Sequence, residues 1–421
     1  MLSLLLISAY SQEPIILVPP MFGSELMGSI TDLSTHWYCS KNFKDHLIWL
    51  KDTMAVPPLF NCLASWLTVE WNYTSGLPSS RNKTYIYAKD FGGLNGMKYI
   101  DSGIFGKHFI PELIYVIEKL EKEGYVEGVD LFGAPYDWRM MPIAFDDYLA
   151  ELKALVEKVY AQTGNNKVAL YGISGGGNTI QKFCRFVPQD WKDKYIRQVL
   201  LHGPSYGGSG EALSVLWLQN IGFIPSIFNT QNFRDMVFSI PTIWAHLHNA
   251  PSNTDPVIIG PDGHKYYAQD IPQLMIDQGK ATGDNLQTLL LAQKKVILNK
   301  IEPTGVPTYI LFNSVLKTIY GLNYSAAGNW SVPEVIYTNG DDTLSAESLY
   351  YPCKNWDDGH PLVCHDLQIN DEKFSHAGQL SQPSVIDIIW KVTKDESWMV
   401  PGPHIVTGTN TEGWKQMKAK K

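Results

Sequence analysis

Ser174 is the residue whose setting first suggests chemistry. It lies in Gly172-Ile173-Ser174-Gly175-Gly176, a G-x-S-x-G pattern. Before it, Val168 to Tyr171 is a short apolar run of the kind a buried strand carries. After it, Ile180, Phe183 and Phe186 recur at helical spacing until Pro188 stops the helix. Strand, sharp turn and helix put the serine at the apex. Such a turn is strained and its helix packs close to the strand, so it needs small residues on both sides of the serine. A serine at a helix N-terminus also meets free N–H groups that favour a developing oxyanion. A glycine-rich turn with an incidental serine would need neither flanking element.

A serine nucleophile needs a base and an acid to orient it, and in this arrangement they follow it in the order Ser, Asp, His. Val335-Ile336-Tyr337 reads as a late strand leading to Asp341, with Asp342 as its rival. His360, His365 and His376 compete for the base. Val363 to Leu367 reads as the last strand, which puts His365 inside it and His360 before it. His376 lies beyond it, ahead of a helix marked by Val385, Ile386, Ile389 and Val392. The expected catalytic set is Ser174, Asp341 and His376. Pro14 to Val18 reads as an early strand running into a loop from Pro19 to Ser24. In an α/β-hydrolase a loop at that place donates the second oxyanion N–H, which would make Met21 and Gly175 the pair, although the local sequence by itself fits an ordinary Pro-Gly turn better.

These residues have to be held by a scaffold. Val129 to Gly133 and Ile196 to Leu201 read as further strands. Leu113 to Leu120 and Tyr148 to Val159 carry apolar residues at helical spacing, ended by Gly124 and Gly164. The alternation predicts an α/β fold, an α/β-hydrolase with a parallel sheet and helices on both faces. It is lost from Gly210 to Gly305, which reads as an inserted cap. The expected division is a leader over 1–11, the hydrolase core beginning at 12–36, a membrane-binding loop region at 37–75, core with the elbow at 76–209, cap at 210–305, and core with acid and histidine at 306–421. The net charge of −8 over 421 residues excludes nucleic acid as the main partner. No stretch is long and apolar enough to span a membrane.

Leu2 to Ala9 is apolar, and Ala9 and Ser11 offer a small-x-small cleavage site, so a signal peptide is expected. Sequons place candidate glycosylation at Asn72, Asn82, Asn323 and Asn329. Of the five cysteines, Cys39 with Cys62 and Cys353 with Cys364 are nearest neighbours in sequence, and an oxidising compartment would pair them. Cys184 reads as a buried thiol in the helix after Ser174. Between Cys39 and Cys62, Trp49, Leu50, Val56, Leu59 and Phe60 crowd a short segment, a composition suited to docking at a lipid surface.

The chain resembles the lecithin:cholesterol acyltransferase family, in particular its lysosomal phospholipase A2-like branch. The residues that carry the resemblance span most of the chain. They are Leu17-Val18-Pro19 with Gly23-Ser24; Tyr38-Cys39-Ser40, Ile48-Trp49-Leu50 and Cys62; Gly133-Ala134-Pro135-Tyr136-Asp137-Trp138-Arg139; Trp191 to Ile196; the glycines from Gly203 to Gly208; and Gly340-Asp341-Asp342-Thr343. The resemblance implies the same triad and oxyanion pair, and a membrane-binding role for the loop closed by Cys39 and Cys62. Three departures stand out. Pro20 replaces the usual glycine, Ile173 replaces the commoner histidine before the nucleophile, and the second disulfide is moved to Cys353 and Cys364.

The expected function is a secreted or lysosome-like lipid acyl hydrolase and O-acyltransferase. It would cleave glycerophospholipid esters through a serine acyl-enzyme and pass the acyl group to water or a lipid alcohol. It would need no metal or organic cofactor. It is expected to act as a monomer on a phospholipid membrane or lipoprotein-like surface, in the extracellular space or a lysosomal or vacuolar lumen. A neutral-lipid esterase is the alternative enzyme reading, and a non-catalytic lipid-binding protein the alternative from another class.

Overall fold

The structure is a computed structural model that describes residues 12–54, 56–101, 103, 108, 111–218, 230–248, 254–292 and 301–409. The expected leader, the apolar run from Ile221 to Ile227 and the tail from Lys415 to Lys421 lie outside the described residues.

Seven strands form the central sheet: β1 (Ile15–Val18), β2 (Leu131–Gly133), β3 (Val168–Ile173), β4 (Ile196–His202), β5 (Thr308–Phe312), β6 (Pro361–Asp366) and β7 (Gly402–Thr407). Their spatial order is β7-β6-β5-β4-β3-β1-β2, and every pairing is parallel. β1, β3 and β4 are buried along their whole length, because helices cover both faces. The period of two sorts their side chains. Ile16, Val18 and Leu170 face one core, shared with the helix Asp146–Gln162 and the helix Gly175–Phe186. Ile15, Leu17, Ala169 and Tyr171 face the other, shared with the helices Ile114–Lys122 and Pro383–Lys394. Each fully buried Leu, Val or Ile on these faces contributes about 1.5–3 kcal/mol.

The chain runs from β1 to the edge strand β2, then returns to place β3 on the other side of β1 and builds outward to β7. The strand order therefore reverses beside β1. Ligand sites of such sheets lie at the carboxyl ends of strands at this reversal. The loop after β1 and the turn after β3 both open there.

Two strand expectations are corrected. The strand from Glu334 is not in the central sheet. Glu334–Gly340 pairs antiparallel with Leu316–Asn323, in a separate four-stranded sheet that also takes Ile258–Ile259 and Lys265–Tyr266 from the expected cap. β6 is also not the last strand, since β7 pairs beside it from Pro361↔Gly402 to Asp366↔Thr407. His376 thus follows the penultimate strand. The region 210–305 holds helices Gly210–Leu218, Gln231–Ser239, Pro241–Ala245, Ile271–Asp277 and Gly283–Ala292 among its described residues.

Disulfides join Cys39 to Cys62 and Cys353 to Cys364, and Cys184 is a buried free thiol. The first fastens the loop after Leu26–Ile30 to the helix Phe60–Leu67, and the second fastens the helix Ala346–Asn355 to β6.

Candidate active site

Ser174 stands between the last residue of β3 and the first of the following helix, with φ 51° and ψ −123°. A non-glycine residue holds positive φ only where its surroundings over-determine it. Here the Ser174 amide donates to the His202 carbonyl of β4 at 2.8 Å. The flanking glycines are explained by close backbone approach. A Cβ at Gly172 would stand 2.6 Å from the Gly176 carbonyl oxygen, and one at Gly176 would collide with the Val18 carbonyl of β1. The loop after β1 makes a tight turn, in which the Gly23 amide donates to the Pro20 carbonyl at 3.1 Å and Phe22 has φ 67°. This turn brings the Met21 amide nitrogen to 3.1 Å from where a Gly175 Cβ would be.

Asp341 follows directly on Glu334–Gly340 and is fully buried. One carboxylate oxygen accepts from the Leu344 amide at 2.7 Å and the Thr343 amide at 3.2 Å. The other lies 2.6 Å from His376 Nδ1. The Asp341 carbonyl accepts from the His376 amide, also at 2.6 Å. Asp341 therefore grips His376 through main chain and side chain together. Nδ1 donates to the carboxylate, so Nε2 of a neutral ring carries the lone pair, and Nε2 has no partner among the described residues. Burial pulls the His376 pKa down, but the charge and hydrogen bond of Asp341, with Asp342 and Glu211 beyond, outweigh it and hold the pKa above the ordinary value. Gly203 makes room for the ring, since a Cβ there would stand 3.1 Å from His376 Cε1.

Asp342 has a different role. Its φ is 80°, its amide donates to Thr318 Oγ1 at 2.9 Å, and its carboxylate accepts from Thr343 Oγ1 at 2.8 Å. His360 lies 3.2 Å from Asp358, and His365 bonds Tyr309 Oη at 2.5 Å and the Gly408 carbonyl. His202, beneath the elbow, is held between Tyr171 Oη at 3.0 Å and Gln379 at 3.1 Å, and burial lowers its pKa to about 4, so it stays neutral.

Ser174, His376 and Met21 line one cavity of about 680 Å³, a size that suits an organic ligand with long apolar parts. Its wall is largely apolar, with Phe22, Leu50, Phe233, Met236, Val237 and Ile243 among the lining side chains.

The five residues expected at a membrane loop separate. Trp49 and Phe60 turn inward. The Trp49 indole N–H donates to the Phe22 carbonyl at 2.8 Å and its ring packs on Trp138, while Phe60 is buried against Phe233 with ring centroids 4.9 Å apart. With Leu50 they line the cavity. Leu59 is half-buried and Val56 is 49% exposed. The sequence reading missed Trp37, which is 92% exposed two residues before Cys39. Asn72, Asn82 and Asn329 are exposed and Asn323 half-buried.

Arg139 explains the Gly133 to Arg139 block. It is fully buried and pairs with both Asp137 oxygens, at 2.9 and 2.6 Å. It also donates to the Leu67 carbonyl at 3.2 Å and Ser80 Oγ at 2.9 Å. A planar fork satisfied on all sides ties the end of β2 to the disulfide-linked helix. Two polar cavity residues, Glu112 and His246, also went unseen in the sequence. Burial raises the Glu112 pKa to about 8 against an opposing effect of His376.

The parallel sheet, its strand–turn–helix elbow and the site at the strand reversal define an α/β-hydrolase-like fold. The family model described as lecithin:cholesterol acyltransferase matches residues 43–269. The chain belongs to that family. It is 27% identical over 352 residues to the lysosomal phospholipase A and acyltransferase of Bos taurus, covering 83% of this chain and 84% of that one. It is 26% identical over 362 residues to the phosphatidylcholine-sterol acyltransferase of Mus musculus, covering 85% and 80%. The family match spans Ser174 but ends before Asp341 and His376.

Proposed function

We propose that this enzyme of phospholipid acyl hydrolysis and transfer works through an acyl-enzyme on Ser174. The observation that carries the mechanism is the Asp341–His376 pair, whose Nε2 has no partner among the described residues and whose histidine lines the same apolar cavity as Ser174. Ser174 Oγ attacks the ester carbonyl carbon while His376 Nε2 takes its proton. The Met21 and Gly175 amides hold the oxyanion. Collapse breaks the ester C–O bond, and the departing lysolipid alcohol takes the proton from His376. Water or a lipid alcohol then attacks the acyl carbon as His376 takes its proton; collapse breaks the bond from the acyl carbon to Ser174 Oγ, and His376 gives that proton back to Ser174.

The cavity wall would hold acyl chains, and the exposed Trp37 and Val56 at the disulfide-closed loop would meet the lipid surface. No helix among the described residues is long and apolar enough to cross a membrane, so this contact would be peripheral. Two disulfides and accessible sequons support work in an oxidising lumen or outside the cell, with glycans on Asn72, Asn82 and Asn329 foremost.

Ser174→Ala tests the mechanism. It should lower phospholipid cleavage by about 10³-fold or more and abolish labelling by a fluorophosphonate probe, with the melting temperature retained. Labelling that survives the substitution refutes the assignment.

A further inference from the structure

His246 is a second histidine on the cavity wall that the triad does not use. It follows the helix Pro241–Ala245 and is only 6% exposed. Its Nδ1 lies 2.7 Å from the Thr242 carbonyl oxygen. A carbonyl only accepts, so Nδ1 must carry the hydrogen. Burial pulls the pKa of the ring down against that hydrogen bond, and His376 pulls it further, which favours the neutral ring. Nε2 of the neutral ring then carries the lone pair, and it is buried without a partner among the described residues.

Of the other polar side chains on the wall, which include Glu112 and Glu211, three are committed elsewhere. Ser205 Oγ donates to Asn178 at 3.2 Å, Ser209 Oγ to the Thr343 carbonyl at 2.8 Å, and the Trp49 indole to Phe22. His246 is also held in place. Thr242 Oγ1 donates to the Met141 carbonyl at 2.7 Å and to that of Trp138, and the His246 carbonyl accepts from the Ser209 amide at 2.8 Å. A rigid, unpaired acceptor in an apolar wall is costly unless a ligand supplies a donor.

We propose that His246 selects the acyl acceptor, by receiving a second hydroxyl of the acceptor beside the one being acylated. The inference rests on the acyl-enzyme reading above. The reacting hydroxyl cannot be the donor to His246, because its only proton must pass to His376 as its oxygen attacks the acyl carbon. A diol meets both demands: one hydroxyl attacks and gives its proton to His376, and the other donates an intact hydrogen bond to His246 Nε2. A long-chain alcohol with a single hydroxyl fills the same apolar wall but leaves that lone pair unpaired.

The test is competition for the acyl-enzyme. Mixed phosphatidylcholine vesicles carry either a long-chain alkane-diol or the primary alcohol of equal chain length, and the acyl ester and free fatty acid are quantified together. The ratio of transfer to hydrolysis does not depend on how much enzyme is folded. Wild type should favour the diol about tenfold, the worth of one well-placed hydrogen bond. His246→Leu should bring the diol down to the level of the mono-alcohol, and His246→Gln, which keeps an acceptor oxygen, should restore most of the preference. Equal transfer to both alcohols by wild type overturns the proposal. So does a diol preference that survives His246→Leu, or one that His246→Gln fails to restore. A wild type that neither cleaves phospholipid nor takes the fluorophosphonate label fails at the earlier step, and the selection falls with it.

Discussion

Glu112→Gln should make the protein more stable in alkaline solution. Glu112 is 9% exposed, lines the cavity beside Ser174 and His376, and titrates at about 8 where an ordinary carboxyl titrates near 4.5. Burial is the main cause, and His376 opposes it. The raised pKa means that the folded chain holds this proton up to about pH 8, while the unfolded chain gives it up near pH 4.5. Between those values the folded state binds one more proton, so stability falls as pH rises, by about 1.4 kcal/mol per pH unit. Across the window the loss reaches roughly 5 kcal/mol. Glutamine has the shape of the neutral acid and cannot ionise, so it removes this dependence. Melting temperatures of the two proteins should agree near pH 4 and diverge from there. For a chain of this length the variant should melt higher by about 5 °C at pH 8. Thermal unfolding by circular dichroism across pH 4 to 9 is the assay. Parallel profiles refute the buried-acid reasoning, and so does a variant that melts lower at every pH.

Two further outcomes separate neighbours that look alike in sequence. Asp341→Asn should slow acyl-enzyme formation by about 10⁴-fold in single-turnover assays, through loss of the correct histidine tautomer. Asp342→Asn, which leaves the His376 partner in place, should cost only a few-fold; the reverse ranking moves the role to Asp342. Trp37→Ser combined with Val56→Ser should weaken vesicle sedimentation, since each apolar side chain buried in lipid contributes about 1.5–3 kcal/mol. It should spare both a soluble short-chain ester and the melting temperature. Phe60→Ser removes a buried ring that packs on Phe233. It should lower the melting temperature and both activities, as core truncations of about 3–5 kcal/mol do. Vesicle binding that survives the double substitution refutes docking at this loop.

Local patterns were the legible part of the molecule. The elbow could be read because every constraint on it lies within a few residues: a buried strand, glycines that backbone contacts require, and a helix stripe. The helix Asp146–Gln162 was readable for the same reason, since Leu149, Leu152, Val156 and Val159 recur on one face and all are buried. Sheet membership is not local. Glu334–Gly340 alternates as any half-exposed strand does, and only its partners place it outside the central sheet. β7 begins after Pro401 and is mostly half-buried or exposed, so it lacks the apolar run that revealed β1 and β3. Direction is also invisible in composition. Trp37 and Trp49 are the same residue type close together, yet one is exposed and the other lies against Trp138. Glu112 and His246 carry no local signature, because what distinguishes each is the apolar wall around it, assembled from distant segments.

The acid's mounting follows from the strand that was misplaced. Asp341 does not project from the central sheet that carries Ser174. It ends a strand whose sheet includes Ile258–Ile259, paired with Leu316–Asn323 at Ile258↔Leu322 and Ile259↔Asn323. Close backbone approaches reinforce the join. A Cβ at Gly321 would collide with the Val257 carbonyl, and one at Gly210 with the Ile319 carbonyl. The helix that starts at Gly210 contributes Glu211, Ala212 and Val215 to the cavity wall. Asp341 and part of the wall are thus built on the same strands, while Ser174 and the loop that holds Met21 are built on β3 and β1. His376 joins the two units, bonded through its ring and its amide to Asp341 and packed over Gly203 at the end of β4. Changes in the region 210–305 that shift its short strand therefore act on the position of the acid as well as on the shape of the cavity. Substitutions there should alter turnover together with acyl-chain preference.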